Sequence, residues 1–388
     1  MNSDALSGLQ LVDDVHAEQS LVSMVFDKAR LTQARHLAGL TKKSIAEVVG
    51  VSAVAVGQWE AGTASPRPDN VESLARVLDV PPAFLAAGRP YVRLDAASAH
   101  FRSLRRTPAT QRNKAVAFVE QVWELANALE KRVRMPAVDL PGFSAGEVER
   151  GHLPTDPVAA AQELRHRWNL GDGRIRQMVK TMEQHGIVVT LAPFAGADTA
   201  TIDAFSTSEM PRPVVVLTPD RADDVYRHRF TAAHELGHLV LHSDCAPGDP
   251  HQEREADAFA AEFLTPSAEI TSLLPSRLDF NALDALSKSW GISVDSLLRR
   301  CKEVGAISET TYRRAHQRLA NLRTSGLFRA DPVHGYPGEV PSLLRAAFLV
   351  AESHGLTLKE LASELRVSLP RLRLLLGEGD DRPTLHLV

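Results

Sequence analysis

His234, Glu235 and His238 form an HExxH pattern inside the run from Phe230 to His242. On a helix the two histidines sit one turn apart, so both imidazoles project from one face and can meet one ion. Glu235 lies beside them, where its carboxylate can hold a metal-bound water. The ion lowers the pKa of that water, and the carboxylate takes its proton as it attacks a carbonyl. A catalytic zinc needs a third protein ligand and an open fourth position. The run from Glu253 to Leu264 offers carboxylates for this, with Glu253 and Asp257 sharing a helix face at i and i+4. One can bind the metal while the other orients a ligand histidine through its remaining ring nitrogen. Glu253 is assigned as the third ligand and Asp257 as the orienting partner. Glu255 points roughly away from both, although a shift in register exchanges Glu253 and Glu255. His242 continues the helix face four residues after His238. As a fourth protein ligand it closes the site, so a structural or substrate-side role is favoured. Tyr226 and His228 could stabilise an oxyanion, with plain structural roles as the simpler reading. Zinc is the default metal for two histidines and a glutamate, and manganese or iron can occupy the same ligands.

These residues need rigid helices and a place for substrate. Ala256, Phe259, Ala260 and Phe263 make an apolar stripe for the second helix. Two helical patterns run from Pro154 to about Gly186, and a helix-rich stretch runs from Arg227 to about Leu322. Between them, Ile187–Leu191, Thr201–Ser206 and Val214–Leu217 are short, β-branched and bounded by turn residues, which predicts strands. Ile202–Ser206 is a candidate edge for pairing with an extended peptide. The alternative is a set of core strands.

The run from Arg229 through His242, followed by Glu253 to Pro266, resembles the ImmA/IrrE metallopeptidases. The resemblance covers roughly Pro154 to Leu322. It implies a zincin-like arrangement with a strand-rich lobe beside the zinc helix. It also implies a regulatory protease that cleaves repressors of the XRE type, switching on element transfer or a DNA-damage response. Asp257 stands where many relatives have Asn. Either accepts a hydrogen bond from imidazole, and the anion does so more strongly.

Towards the N-terminus, Leu31–Ala38 reads as an amphipathic helix carrying Arg35. Thr41 can cap a second helix that turns Ile45, Ala46 and Val49 inward, and Gly50 makes the turn. Ser52 then caps a third helix holding Val56 and Trp59. This resembles the XRE (lambda-repressor-like) helix-turn-helix over about sixty residues. The resemblance implies a structural pair between Arg35 and Glu60, and a third helix placed in the major groove. Lys42 and Lys43 suit phosphate contact, while Ser52 and Gln58 can hydrogen-bond base edges. No arginine is available there for guanine, so modest specificity or a protein-docking role are both expected outcomes. Leu356–Ser368 repeats Leu40–Ser52 faintly, with Arg366 at the turn glycine. Arg371 and Arg373 follow. This tail reads as a degenerate helix-turn-helix that packs or dimerises.

A chain of 388 residues calls for more than one core. Its net charge of -4 argues against non-specific coating of nucleic acid but allows a local basic face. Cys245 and Cys301 offer neither a disulfide framework nor a CxxC pattern, and read as reduced thiols in a cytoplasmic protein. No apolar run is long enough to span a bilayer. The expected architecture is multidomain and mainly α with a small β-sheet. A mobile leader at 1–25 precedes an all-α helix-turn-helix domain at 26–88. A helical connector and linker follow at 89–150, the latter broken by Pro136, Pro141 and Gly142. The connector's apolar stripe is Val116, Val119, Trp123, Ala126, Leu129 and Val133, and its basic start holds Arg102, Arg105, Arg106, Arg112 and Lys114. An α+β zincin-like metallopeptidase domain is expected at 151–322, a linker at 323–341 and a C-terminal helical unit at 342–388. The expected function is a zinc-dependent endopeptidase acting on a specific protein, an XRE-type repressor being the leading candidate. Its DNA-binding domain then localises it or regulates transcription, and homodimers are compatible with it. The alternatives are a DNA-binding regulator whose zinc domain senses metal or redox state, and an antitoxin-like docking module. The complete set with Glu235 favours the first.

Overall fold

The computed structural model describes residues 19–94, 108–141, 143, 153–192, 204–218, 224–242, 249–275, 277–326 and 338–378. Residues 1–18 of the leader, Arg102, Arg105, Arg106, Thr201–Asp203, Gly142, Cys245, most of the second linker and the tail beyond 378 lie outside them. The chain divides into two compact units. Unit 1 comprises Met1–Ala96, Thr107–Arg134 and Leu344–Val388, and unit 2 comprises Ala97–Arg106 and Met135–Leu343.

In chain order, unit 1 opens with α1 (Lys28–Ala38), α2 (Lys42–Val49), α3 (Ala53–Ala61), α4 (Pro68–Leu78) and α5 (Ala109–Glu130). Unit 2 follows with α6 (Pro157–Arg167), α7 (Met178–Gln184), β1 (Val188–Leu191), β2 (Ala204–Thr207) and β3 (Val214–Leu217). It continues with α8 (Val225–Leu241), α9 (Pro250–Leu264), α10 (Ser267–Leu273), α11 (Phe280–Trp290), α12 (Val294–Glu303) and α13 (Glu309–Thr324). The chain then returns to unit 1 with α14 (Leu343–Ser353), α15 (Leu358–Leu365) and α16 (Leu369–Leu375).

The first three helices are punctuated as their sequence demands. Asp27, Thr41 and Ser52 each accept a backbone N–H at a helix start, and Gly39, Gly50 and Gly62 take the left-handed conformation at the ends. Leu31, Ile45, Val56 and Leu74 are fully buried between them. Residues 19–24, read from sequence as the end of a mobile leader, are helical. Val22 is buried, and Gln19 donates to Glu72 while Ser23 donates to the Pro66 carbonyl.

Helix α5 departs most from its sequence reading. Its pattern suggests one apolar stripe on a connector, yet it is buried around nearly its whole circumference. The reason is long-range: α1 packs on it, and so do α15 and α16 from the far end of the chain. Its buried polar groups are each satisfied. Glu124 meets Arg30 and Arg89, Glu120 accepts from the Leu94 backbone N–H at 3.2 Å, and Gln121 accepts from Arg371 at 2.7 Å.

The faint repeat at the C-terminus is also a structural one. Thr357 caps α15 with Glu360 in a capping box, Ser368 caps α16, and Arg366 occupies the left-handed position with φ 51° that Gly50 fills earlier. Its guanidinium donates to the carbonyls of Ala86 and Ala87 at 2.9 Å each. Leu361, Leu365, Leu372 and Leu375 are buried, so this copy packs within its own unit.

Unit 2 is built on a three-stranded sheet of order β1-β3-β2, with β1 parallel and β2 antiparallel to β3. β2 is thus an outer strand, and all four of its residues are buried. Alternate residues such as Val189 and Val215 join Leu236, Phe259 and Phe263 in one core. Fully burying each of those phenylalanines contributes about 1.5–3 kcal/mol relative to exposure. The stretch Pro136–Pro141, read as linker, is packed: Leu140 is fully buried and Trp168 donates to the Asp139 carbonyl at 3.0 Å. Gly186, at φ 82°, lies so close to it that a Cβ would stand 2.5 Å from the Ala137 oxygen.

The end of the second linker is equally engaged. Glu339 is fully buried and accepts the backbone N–H groups of Met178 and Val179 at 2.8 and 3.1 Å, capping α7 from far along the chain. It also pairs with Arg229 of α8, whose other N–H groups go to the carbonyls of Gly291, Arg176 and Ile175. Glu183 receives the backbone N–H groups of Ser342 and Leu343. No helix of the described residues is long and apolar enough to cross a membrane.

Candidate metal centre and helix-turn-helix face

The HExxH residues lie on α8, started by Asp224, which accepts from the Tyr226 and Arg227 backbone. Asp249 starts α9 in the same way, with Pro250 at its first position. The two helices cross at Gly237. A Cβ there would stand 3.1 Å from the Phe259 ring and 3.3 Å from the Ala256 backbone. The glycine inside HExxH therefore lets the helices approach closely. His234 and His238 flank the crossing on one helix, and Glu253 and Asp257 flank Ala256 on the other.

One ligand atom each from His234, His238 and Glu253 lies within 4.8 Å of the others. The Nε2 atoms of the two histidines are 3.1 Å apart, and the Glu253 oxygens stand 3.3 and 3.5 Å from them. Two imidazole nitrogens and one carboxylate match the donor set of a zinc site with one open position. Glu255 turns elsewhere, to His242 and His251 at 3.0 and 3.1 Å.

The other ring nitrogens decide the tautomers. His234 Nδ1 lies 3.0 Å from Asp257 Oδ1, so it donates to that carboxylate. Arg299 approaches the second Asp257 oxygen at 3.4 Å. His238 Nδ1 lies 3.0 Å from His242 Nδ1, and His242 Nε2 lies 3.0 Å from Glu255 Oε2. With His238 Nε2 kept for metal, its Nδ1–H donates to His242, which in turn donates to Glu255. Each histidine of the triad is thus oriented by a carboxylate, directly for His234 and through His242 for His238. His242 meets His238 through Nδ1 and Glu255 through Nε2, and these partners give it a structural, orienting place. Replacing His242 with alanine should lower zinc affinity about 10–100-fold in a chelator competition. An unchanged affinity would remove it from the site.

Burial disfavours charge on His234, but hydrogen bonds to Asp257 and Glu253 outweigh it and raise the imidazole to about 10. Burial likewise opposes the Asp257 charge, while the His234 hydrogen bond holds that carboxyl below its usual range. Without metal, His234 therefore carries a proton that binding must displace. The sign follows: zinc affinity should rise with pH, by about tenfold per unit in the neutral range. Calorimetry in buffers of different ionisation enthalpy should detect the released proton, and a flat pH profile would contradict it.

Glu235 is buried, and its Oε2 accepts the Ser206 hydroxyl at 2.8 Å. Burial pushes its carboxyl up, opposed by the charges of His238 and His234. Ser206, on β2, ends the edge Ile202–Ser206 proposed from sequence for substrate, but its bond to Glu235 was not read there, because nothing in a short β-branched run says which face meets α8. His228 is buried with Nε2 3.0 Å from the Glu339 carbonyl, which is the structural of its two readings. Tyr226, half-buried, begins α8.

In unit 1, Arg35 and Glu60 make the expected pair, at 2.6 and 3.2 Å. Lys42 also reaches Glu60 at 3.0 Å, and Lys43 is 82% exposed beside Glu47. Ser52 and Gln58 are exposed along α3 together with Val54, although the Ser52 oxygen also caps that helix. The structure thus presents all four residues proposed for DNA on the outside of α2 and α3. Arg371 is half-buried against Gln121, and Arg373 is exposed.

Residues 182–302 match the family model of the IrrE N-terminal-like domain, a peptidase family. Residues 31–85 match a helix-turn-helix family model. A search of curated proteins found no match. The chain therefore carries, in N-to-C order, a helix-turn-helix domain of the XRE type and a domain of the ImmA/IrrE metallopeptidase type. Such peptidases use a metal, typically zinc.

Proposed function

We propose that this chain is a zinc-dependent endopeptidase that cleaves a specific intracellular protein, an XRE-type repressor being the best candidate. Its helix-turn-helix places it near its target on DNA. The observation that carries the reading is the convergence of His234, His238 and Glu253 beside the buried carboxylate of Glu235. His234, His238 and Glu253 would hold the metal, and Asp257 and His242 would fix the orientation of the two imidazoles. A bound zinc supplies a Lewis acid that polarises a carbonyl and activates water.

The chain's own part in the reaction falls to Glu235. Its Oε2 is engaged by Ser206, which leaves Oε1 to take the proton of the attacking water. The same carboxyl then returns a proton to the leaving amine. Its raised affinity for protons, caused by burial, suits a group that must take up a proton and return it. β2 stands beside this carboxylate, which makes Ala204–Thr207 the candidate strand along which an extended peptide lies.

The test is to purify the wild type and Glu235→Gln, measure bound metal, and incubate each with a host lysate. New protein N-termini are read by mass spectrometry with added zinc and with chelator. Termini that require both metal and Glu235 support the reading and name the substrate. Bound metal without such termini would favour a metal-sensing regulator instead.

A further inference from the structure

Unit 1 contains a cavity of about 1000 Å³, large enough for a small-molecule ligand. Its walls come from the end of α1 and the turn after it, the end of α4, the middle of α5 and the whole length of α16. Leu37, Leu40, Val80 and Leu374 supply apolar wall, while Gln121 and Arg371 bring polar atoms.

Arg371 is the residue whose hydrogen-bonding capacity is left unused. Its Nε donates to Gln121 at 2.7 Å, and its guanidinium lies 5.7 Å from the Phe118 ring centroid. Its two terminal nitrogens donate to no described residue, and no described carboxylate lies within ion-pair distance. The deeply buried arginines of this chain behave otherwise. Arg30, Arg229 and Arg300 meet carboxylates, and Arg165 directs its terminal nitrogens to backbone carbonyls. A guanidinium offers five N–H donors in a planar fork, and with one given to Gln121 four remain for a partner in the cavity.

The surrounding charge favours an anion. Lys114 lies close enough to feel the Arg371 charge, and Arg373 and Arg345 stand 3.8 and 3.9 Å from Glu378. Among the described residues, Arg371, Arg373 and Arg345 stand there with Asp79 and Glu378, three cations against two carboxylates. The two acids disfavour a doubly charged phosphate, whereas one guanidinium edge fits one carboxylate in a bidentate pair.

We propose that this cavity binds a small carboxylic acid, its carboxylate held by the terminal nitrogens of Arg371 and its apolar body against Leu37, Leu40, Val80 and Leu374. All of its lining residues belong to unit 1. Leu40 directly precedes Thr41, the cap of α2, so an occupied cavity bears on the start of the helix-turn-helix.

The test uses the full chain and two probes of like shape and opposite charge, octanoate and octylammonium, in isothermal titration. Octanoate should bind saturably at one site per chain and at least tenfold more tightly than octylammonium. Arg371→Gln should weaken octanoate at least tenfold, with its fold checked by thermal melting. Should that variant unfold, Leu374→Asp, which puts a like charge on the apolar wall and keeps Arg371, decides by weakening octanoate at least tenfold. No saturable octanoate binding, equal binding of both probes, or unchanged binding in either folded variant would overturn the proposal.

Discussion

Glu235→Gln should retain wild-type zinc content and lose cleavage by about 10²–10⁴-fold in kcat/KM, the usual range for a positioned general acid–base group. Glutamine has nearly the same shape and can still receive the Ser206 hydroxyl that now reaches Glu235 at 2.8 Å. It cannot accept a proton. The candidate metal-binding atoms belong to His234, His238 and Glu253, so the variant separates binding from chemistry. The readout is metal content beside cleavage of a peptide that spans whatever bond the lysate experiment identifies. A variant that keeps both metal and full activity would exclude Glu235 as the proton carrier.

The second large effect is on stability. Glu339→Ala should destabilise unit 2 by about 3–5 kcal/mol, because it leaves a buried charge without its partner. Arg229 and Glu339 are 1% and 0% exposed in their side chains, and the loss also removes the acceptor for two N–H groups of α7. For a domain of this size the melting midpoint should fall by roughly 6–20 °C. Replacing both partners with apolar residues, as in Arg229→Met with Glu339→Leu, should cost less than the single change, since no buried charge is left alone. A melting curve unmoved by Glu339→Ala would mean that the pair is not buried in solution.

Much of the candidate centre was legible in the chain because its information is local. A spacing of four on a helix puts His234 and His238 on one face without help from any other residue, and the same spacing puts Glu253 and Asp257 together. The choice between Glu253 and Glu255 was already marginal, since a shift in register reverses it. The helix crossing settles the geometry: Gly237 against Ala256 sets Glu253 towards the histidines and Glu255 towards His242. The bond from Ser206 to Glu235 was beyond reach because Ser206 comes from a strand whose facing depends on how the sheet meets α8. The two stretches read as linkers show the same limit. Pro136–Pro141 and Glu339 carry turn residues and charge, the ordinary marks of a solvated connection. Their partners lie tens to hundreds of residues away, and no local pattern announces them.

What the sequence determined by itself was therefore everything set by neighbours along the chain. This includes the caps Thr41 and Ser52, the turn at Gly50, the strand Val214–Leu217, the strand read as Ile187–Leu191 and found at Val188–Leu191, and the helical phase of the candidate metal-binding residues. Only the tertiary structure decided that α5 is a central helix, that α15 and α16 pack in the same unit as the helix-turn-helix, and that His242 links His238 to Glu255. Capping and periodicity act through hydrogen bonds and side-chain positions within one or two turns, so they leave a trace in the spacing of residues. Packing joins residues by shape and charge across the whole chain. A buried Glu339 and an exposed glutamate are the same letter until their partners arrive.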